Sequence, residues 1–349
     1  MLKKDLRSLT EEETVGLAVR IGLPAFRGRQ VFAWVHCHGA EDFAGLKNLP
    51  QTARDTLAEV AFIGVPAVVT CLQSKSGNTS KYLFEFADGE RVETALMFYA
   101  RDNSRDRVTC CVSTQSGCAM GCAFCATALC GVGRNLSAGE IVSQVLAADR
   151  EAKRKGFTGV TNVVYMGMGE PFLNISETEK SVRILNSAEG LGIGARRITI
   201  STCGIVPGIY EMAQWGLQAE LAVSLHAADD EKRTSLMPVA RKYGLDELMK
   251  ACEHYWKITG NKTTFEYAMF DGVNDNADDA HRLGKLLKGK KVFVNIIPAN
   301  KVTETGFLPS KGENIKAFIN IVRDYGIEIL AREPRGVDID AACGQLRRR

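Results

Sequence analysis

Cys118, Cys122 and Cys125 fall in one short run, Cys118-Ala-Met-Gly-Cys122-Ala-Phe-Cys125, a C-x3-C-x2-C spacing. Thiolates are the usual ligands of iron–sulfur clusters, and a [4Fe–4S] cube needs four of them. Three ligands on one tight loop leave one iron free for an outside donor. The amino and carboxylate groups of S-adenosylmethionine can chelate that iron, which puts the sulfonium within reach of electron transfer. Phe124, beside the last ligand, can cover the cluster and keep water away, tuning its potential. Zinc is the competing reading of these thiols: it needs four ligands, and Cys130 or Cys111 would supply the fourth. Zinc pairs commonly come as two C-x2-C halves, so the tight triple favours iron–sulfur.

Further polar residues follow separate β-rich runs. Met166-Gly-Met-Gly169-Glu170-Pro has glycines that let backbone approach a ligand, and Glu170 can accept from an ammonium group. Ser201 ends the next run, Ser224 and His226 the one after, and Asn300 follows a later one. Each alone is an ordinary loop residue. Together they describe a cofactor pocket, provided the runs are parallel strands whose C-terminal ends share one mouth.

The elements that would position them are legible. Short β-branched runs near 108–113, 160–166, 198–202, 220–225, 264–269, 292–297 and 328–331 alternate with helix-length stretches near 137–155, 175–188, 206–216, 244–259, 277–288 and 311–325. Such alternation means parallel strands with crossover helices. Six units predict an incomplete (β/α)6 barrel. Ser137-Ala-Gly-Glu140 is a capping-box pattern that starts the first helix. Residues 1–95 read as a separate accessory region, 96–335 as the barrel and 336–349 as a tail carrying Cys343 and three arginines. In the first region Thr10-Glu-Glu-Glu is a helix start, and 24–35 mixes Phe26, Phe32 and Trp34 with Arg27 and Arg29. Aromatic and arginine side chains together can stack on bases and pair with phosphates. A helix with its aromatics packed inward explains the same pattern.

Composition narrows the class. The chain has 349 residues, 45% apolar and 24% charged, ample for a buried core. A net charge of +3 is weak evidence for a nucleic-acid partner. The first residues contain no apolar run of signal-peptide type, and no stretch is long enough to span a bilayer, so a cytoplasmic protein without membrane association is expected. Six of the eleven cysteines lie between Cys110 and Cys130. In a reducing compartment such a cluster reads as metal-binding or catalytic.

The runs CVSTQSGCAMGCAFCAT, GRNLSAGEI, MGMGEP, RRITISTCGIVPGI, SLHA, FDGVND and GVDIDAACGQL, in this order, resemble the radical S-adenosylmethionine methyltransferases that methylate adenine in RNA. The likeness is closest to the dual-specificity 23S rRNA and tRNA adenine-C2 enzymes, the RlmN family, and includes the LPAFRGRQVFAWV segment. It implies cluster ligation by Cys118, Cys122 and Cys125, and S-adenosylmethionine contacts from Gly169, Glu170, Ser201, Ser224, Leu225, His226 and Asn300. Cys343 matches the cysteine that is methylated and carries the methyl group. Cys111 matches the one that resolves the protein–RNA adduct through a transient disulfide, and Glu93 the proton acceptor. The segment 299–309 departs from the family's loop, although Asn300 is matched.

The chemistry is coherent with those roles. Adenine C2 lies between two ring nitrogens and is too electron-poor to attack a sulfonium methyl. A Cys343 thiolate can do so. A second S-adenosylmethionine, reduced by the cluster, gives a 5′-deoxyadenosyl radical that takes hydrogen from the S-methyl group, and the carbon radical adds to C2. A base and a second thiol must then release the product. The resemblance further implies two S-adenosylmethionine per turnover, 23S rRNA and tRNA as substrates, an electron donor such as flavodoxin or ferredoxin, and a monomer. The alternatives are the sister family that methylates C8 of the same rRNA adenine and, more remotely, a zinc-stabilised RNA-binding module without catalysis. Cys110, Cys130, Cys203 and Cys252 have no role in this reading.

Overall fold

The computed structural model describes residues 3–99, 106–300 and 302–348. At the N-terminus, strand β1 (Lys4–Asp5) pairs in parallel with β2 (Ala61–Phe62), framing helices α1 (Glu11–Arg20), α2 (Ala25–His36) and α3 (Gln51–Val60). The predicted start of α1 is a capping box: Glu13 N donates to Thr10 Oγ1 and Thr10 N to the Glu13 carboxylate. Leu6, Leu17, Val31, Val35, Leu46 and Leu57 form a small core of their own.

Three strands then run antiparallel: β3 (Ala67–Gln73), β4 (Thr79–Glu85) and β5 (Arg91–Tyr99), the last pairing with β6 (Arg107–Cys111). From β6 onward every pairing is parallel, through β7 (Asn162–Tyr165), β8 (Ile198–Thr202), β9 (Glu220–Ser224), β10 (Thr263–Met269), β11 (Val292–Pro298) and β12 (Glu328–Ala331). The ten strands β3 to β12 make one sheet in sequence order, with β3 and β12 at its two edges. Seven parallel strands and six crossovers are the incomplete (β/α)6 barrel expected. The crossovers carry α4 (Ala138–Arg154), α5 (Ile175–Asn186), α6 (Val206–Ala213), α7 (Asp230–Leu236), α8 (Leu245–Thr259), α9 (Ala277–Leu287) and α10 (Gly312–Asp324). Helix α7 and strands β3 to β5 were not expected. The division anticipated at residue 95 lies inside β5, where Ala95 pairs with both Lys81 and Cys111, whereas the core of the helical region ends near Ile63.

Helix α4 begins with the Ser137/Glu140 capping box, an arrangement worth about 1 kcal/mol. Arg134 grips the same Glu140 with two nitrogens, at 2.8 and 2.7 Å, and reaches Asp88 in the β4–β5 turn at 2.5 Å. The exit from the cysteine loop is thus fastened to both helix and sheet. The N-terminal region docks on the other face of α4. Arg7, fully buried, donates to Ser143 Oγ (3.0 Å), Ser143 Oγ donates to Gly64 O (3.1 Å), and Gly139 N donates to Ser8 Oγ (3.0 Å). A β-carbon on Gly139 would overlap the Asp5 carboxylate and Ser8.

The joint therefore depends on the absence of a side chain at 139. Gly139→Ala is expected to cost about 1–3 kcal/mol through overpacking and to speed proteolysis in the linker after Ile63. Thermal melting and timed proteolysis check this, and an unchanged cleavage rate with an unchanged Tm contradicts it.

Candidate functional site

A cavity of about 170 Å³ opens at the C-terminal ends of the parallel strands. Cys118, Cys122 and Cys125 line it together with Gly169, Glu170, Ser201, Ser224, His226, Asn300 and Cys343. The loop holding the triad is shaped by backbone bonds: Cys118 N donates to Gly131 O, Cys125 N to Cys122 O, and Ala123 N to Leu236 O. Gly117 packs directly on Gly131 and Gly133, where a β-carbon would collide. Cys130 and Cys111, the possible fourth zinc ligands, do not line this cavity.

Burial pushes the Cys118 thiol up to about 11 and the Cys122 thiol higher still, and neighbouring cysteines of the triad add to both shifts. Such sulfurs ionise together only beside positive charge, and a metal centre supplies it. The donor set of three thiols on one loop facing a cavity fits a [4Fe–4S] cluster with one open corner. Phe124 stands over the same space. Its ring meets His226 edge-on at 4.9 Å, and it packs on Phe270 at 5.1 Å and on Phe307 at 6.5 Å.

The glycines of the Met166–Glu170 run have a different first duty from the one expected. A β-carbon at Gly167 would strike Val112 and Ser113, and one at Gly169, where φ is +98°, would strike Gln115. They allow this loop to lie against the lead-in to the cysteines, and both still face the cavity. Glu170 is buried and its carboxylate accepts from Phe172 N (3.0 Å) and Cys203 N (2.8 Å). Burial pushes this group above its ordinary range. His226 sits at φ +56°, a strained left-handed conformation for a non-glycine residue. Its Nδ1 accepts from Ala268 N (2.9 Å) and its carbonyl from Asn274 Nδ2 (2.7 Å), which hold it there. Burial first, then the Arg233 charge, lowers the imidazole to about 3. The ring is neutral, with Nε2–H as its remaining donor.

The tail returns to the mouth. Asn300 Nδ2 donates to Cys343 O (3.1 Å), Ala126 N to Gly344 O (2.8 Å) and Thr127 Oγ1 to Leu346 O (2.7 Å). Cys343 is solvent-exposed and faces the cavity. Three of the expected residues lie off it. Leu225 is buried and meets the site only through its backbone, donating to Glu266 O (2.9 Å). Cys111 is buried at the end of β6, with its thiol pushed up to about 12 by burial and then by Cys343, so the two sulfurs share one electrostatic neighbourhood. Glu93 lines a second cavity beside the tail with Lys81, Asp338 and Arg347. It pairs with Lys81 Nζ at 2.9 Å and accepts from Arg347 N at 2.8 Å. Burial raises this carboxylate, and Lys81 and Arg347 act against the rise.

Sequence reading missed Glu266, Phe270 and Cys203 in the cavity wall and Arg332 behind it. An acidic residue inside the otherwise uncharged β10 run was the available signal for Glu266.

Comparisons with known proteins agree with this architecture. The Radical SAM superfamily matches residues 112–283, and the ribosomal RNA large subunit methyltransferase N-terminal domain matches residues 4–63. A Moorella thermoacetica protein described as a probable dual-specificity RNA methyltransferase RlmN is 46% identical over 98% of this chain and 97% of its own length. A Heliobacterium modesticaldum protein of the same description is 45% identical over 98% of this chain and 89% of its own. The crystal structure of a radical SAM methyltransferase from Sphaerobacter thermophilus is 46% identical, with a TM-score of 0.94 and 99% of each chain covered. The superfamily implies a [4Fe–4S] cluster and S-adenosylmethionine, which is the chemistry the three thiols fit.

For His226, nitrogen NMR across about pH 5 to 8 is expected to give a neutral ring protonated at Nε2 throughout. A titration inside that window would refute the buried assignment. With this site and these relatives, the chain belongs to the RlmN family of radical SAM RNA methyltransferases.

Proposed function

We propose that this enzyme methylates C2 of adenine in 23S rRNA at the peptidyl-transferase centre, and in tRNA at the adenosine 3′ of the anticodon, with Cys343 as the methyl carrier. The observation that carries the reading is the placement of the tail sulfur on the same cavity as the cysteine triad. Cys118, Cys122 and Cys125 would hold a [4Fe–4S] cluster, which would supply the electron for reductive cleavage of S-adenosylmethionine. The chain's own residues do the rest. Glu170, Ser201, Ser224, His226 and Asn300, with the backbone at Gly169 and Leu225, hold the cofactor. Two molecules of it are used per turnover, one as methyl donor and one for the radical step.

Cys343 takes the methyl group by polar displacement and presents it as a thioether. Once its carbon is joined to adenine C2, Glu93 accepts the C2 proton; a carboxylate raised by burial is suited to that work near neutral pH. The Cys111 thiolate then attacks the Cys343 sulfur; the S–S bond forms as the sulfur–carbon bond breaks, and the departing carbon takes up a proton to become the methyl group of the free base. Reduction of that disulfide and of the cluster calls for an electron donor such as flavodoxin or ferredoxin. The target base must leave its stack to reach the cavity, which suits loop RNA. No helix among the described residues is long and apolar enough to cross a membrane, and we place the enzyme in the cytoplasm as a monomer.

The N-terminal region is proposed to grip RNA. Phe32 of α2 is buried, but Phe26 is exposed with the Arg27 guanidinium 4.9 Å from its ring centroid, and Arg29 is exposed. Arg27→Ala with Arg29→Ala is expected to weaken RNA binding and flatten its log–log salt slope by about 1 to 2. An unchanged slope removes α2 from the interface.

The central test is chemical. The tryptic peptide with Cys343 should carry one added methyl group, and RNA treated with the enzyme should yield 2-methyladenosine against C2 and C8 standards. Cys343→Ala is expected to abolish product. Cys111→Ala should accumulate a covalent protein–RNA adduct that a gel shift under denaturing conditions reveals. An 8-methyladenosine product would transfer the chain to the sister activity. Zinc without iron or sulfide after anaerobic purification would end the reading altogether.

A further inference from the structure

A further cavity, of about 180 Å³, lies at the opposite end of the parallel strands, where β10 begins at Thr263 and β11 at Val292. One wall is a face of α8, on which Met249, Cys252, Glu253 and Trp256 recur at helical spacing. The other is the turn Lys288-Gly289-Lys290-Lys291, which Gly289, at φ +75°, allows to bend tightly. The two walls are tied together. Gly260 N ends α8 by donating to Trp256 O (2.8 Å), and Lys291 Nζ donates to Gly260 O. The same ammonium group lies 6.0 Å from the centroid of the Trp256 ring. Trp256 and the three lysines are exposed. Among the described residues neither Lys288 nor Lys290 has a hydrogen bond or ion pair from its ammonium group. Glu253 is paired with Lys257 (2.7 Å). At the floor the Thr263 hydroxyl is buried, with only the weakly bonding Cys252 thiol beside it.

We propose that this cavity is a nucleotide-binding site remote from the cysteine triad, taking one base against Trp256 and its phosphate on Lys288, Lys290 and Lys291. A base of any identity can stack on an indole, and phosphate is drawn to ammonium groups that no carboxylate already pairs. Glu253 separates a nucleotide from a bare anion. It repels inorganic phosphate, but it can accept a hydrogen bond from a ribose hydroxyl. A lysine that merely shields a tryptophan would account for Lys291 and leave the unpaired Lys288 and Lys290 on the same turn unexplained. The ligand is a free nucleotide or one residue of an RNA strand passing the base of the barrel, and the chemistry that holds it is the same. Binding there is reversible, with no bond made or broken, and it does not depend on which position of adenine the enzyme methylates.

The test uses the full chain with its cluster, held anaerobically with S-adenosylmethionine. The probes are 5-iodouridine monophosphate and a short single-stranded oligouridylate carrying one 5-iodouridine; neither contains adenine, so neither is methylated. Irradiation is expected to attach a probe to the tryptic peptide of residues 251–257, which contains Trp256. Trp256→Leu should abolish that adduct and weaken binding of the probe by about five-fold or more. Lys288→Gln with Lys290→Gln should lower the adduct yield by about five-fold or more and, for the oligomer, flatten the log–log salt slope by about 1 to 2. The substituted side chains are exposed, and an unchanged melting temperature verifies that each variant is folded. Capture of the oligomer without the monophosphate supports the site and makes RNA the source. Capture of the monophosphate as tightly as the oligomer supports it and makes a free nucleotide the ligand. No adduct on residues 251–257 with either probe, or an adduct whose yield is the same in the double lysine variant, overturns the proposal. Because no turnover is read, a negative result here leaves the methylation reading standing, and a failed methylation assay leaves this site standing.

Discussion

The cost of ionising sulfur away from water governs this site. A thiol in a dry cavity stays protonated unless positive charge stands beside it, and the shift grows with each neighbouring sulfur. Here burial acts on Cys118, Cys122 and Cys111 alike. The two groups of cysteines answer it differently. The triad is gathered on one loop, where a single polycationic cluster would neutralise all three at once. Cys343 instead stands on the exposed tail at the mouth, its carbonyl held by Asn300 Nδ2 (3.1 Å). The architecture can be read as the means of keeping these two solutions apart within one cavity.

That separation follows from the sheet. β6 is the strand at which pairing changes from antiparallel to parallel. Its C-terminal end therefore faces both the hairpin strands carrying Glu93 and the barrel mouth carrying the cysteine loop. Ser113 Oγ makes the junction physical, donating to Glu93 O (2.6 Å) while accepting from Met168 N (2.9 Å). Gln144 of α4 fills the remaining space, bonded to Ser113 N, Ser113 O and Thr94. A fully satisfied buried network of this kind fixes geometry more than it adds stability.

Much of this was legible in the chain because the barrel obeys local rules. The β-branched runs, the capping box at Ser137 and the loop after each strand locate the mouth, and spacing alone singles out the triad. The antiparallel strands were harder. β3 is exposed along its whole length and β4 is almost wholly buried, so neither shows the alternation that marks a half-buried strand. The turn signals Ser76-Gly77-Asn78 and Asp88-Gly89 were the usable clue. Arg332 and Glu266 were invisible for another reason: they are separated by 66 positions in the sequence and become partners only through β10, β11 and β12. Periodicity reports which face a residue occupies, never which distant charge it meets there.

The tail shows how far a long-range contact can carry. Lys81 of β4 pairs with Glu93 and also donates to Asp340 O (3.3 Å), while Arg347 N donates to the other oxygen of Glu93. The two tail residues flank Cys343, so one strand-borne ion pair clasps the segment on both sides of that cysteine. Arg347 adds a pairing with Glu304 (2.6 Å) and Arg348 one with Glu90 (3.0 Å), both near the surface and individually weak. A displacement of the whole tail from Asp340 to Arg347 breaks both contacts. Seating of the tail and pairing of this buried carboxylate are then a single structural event.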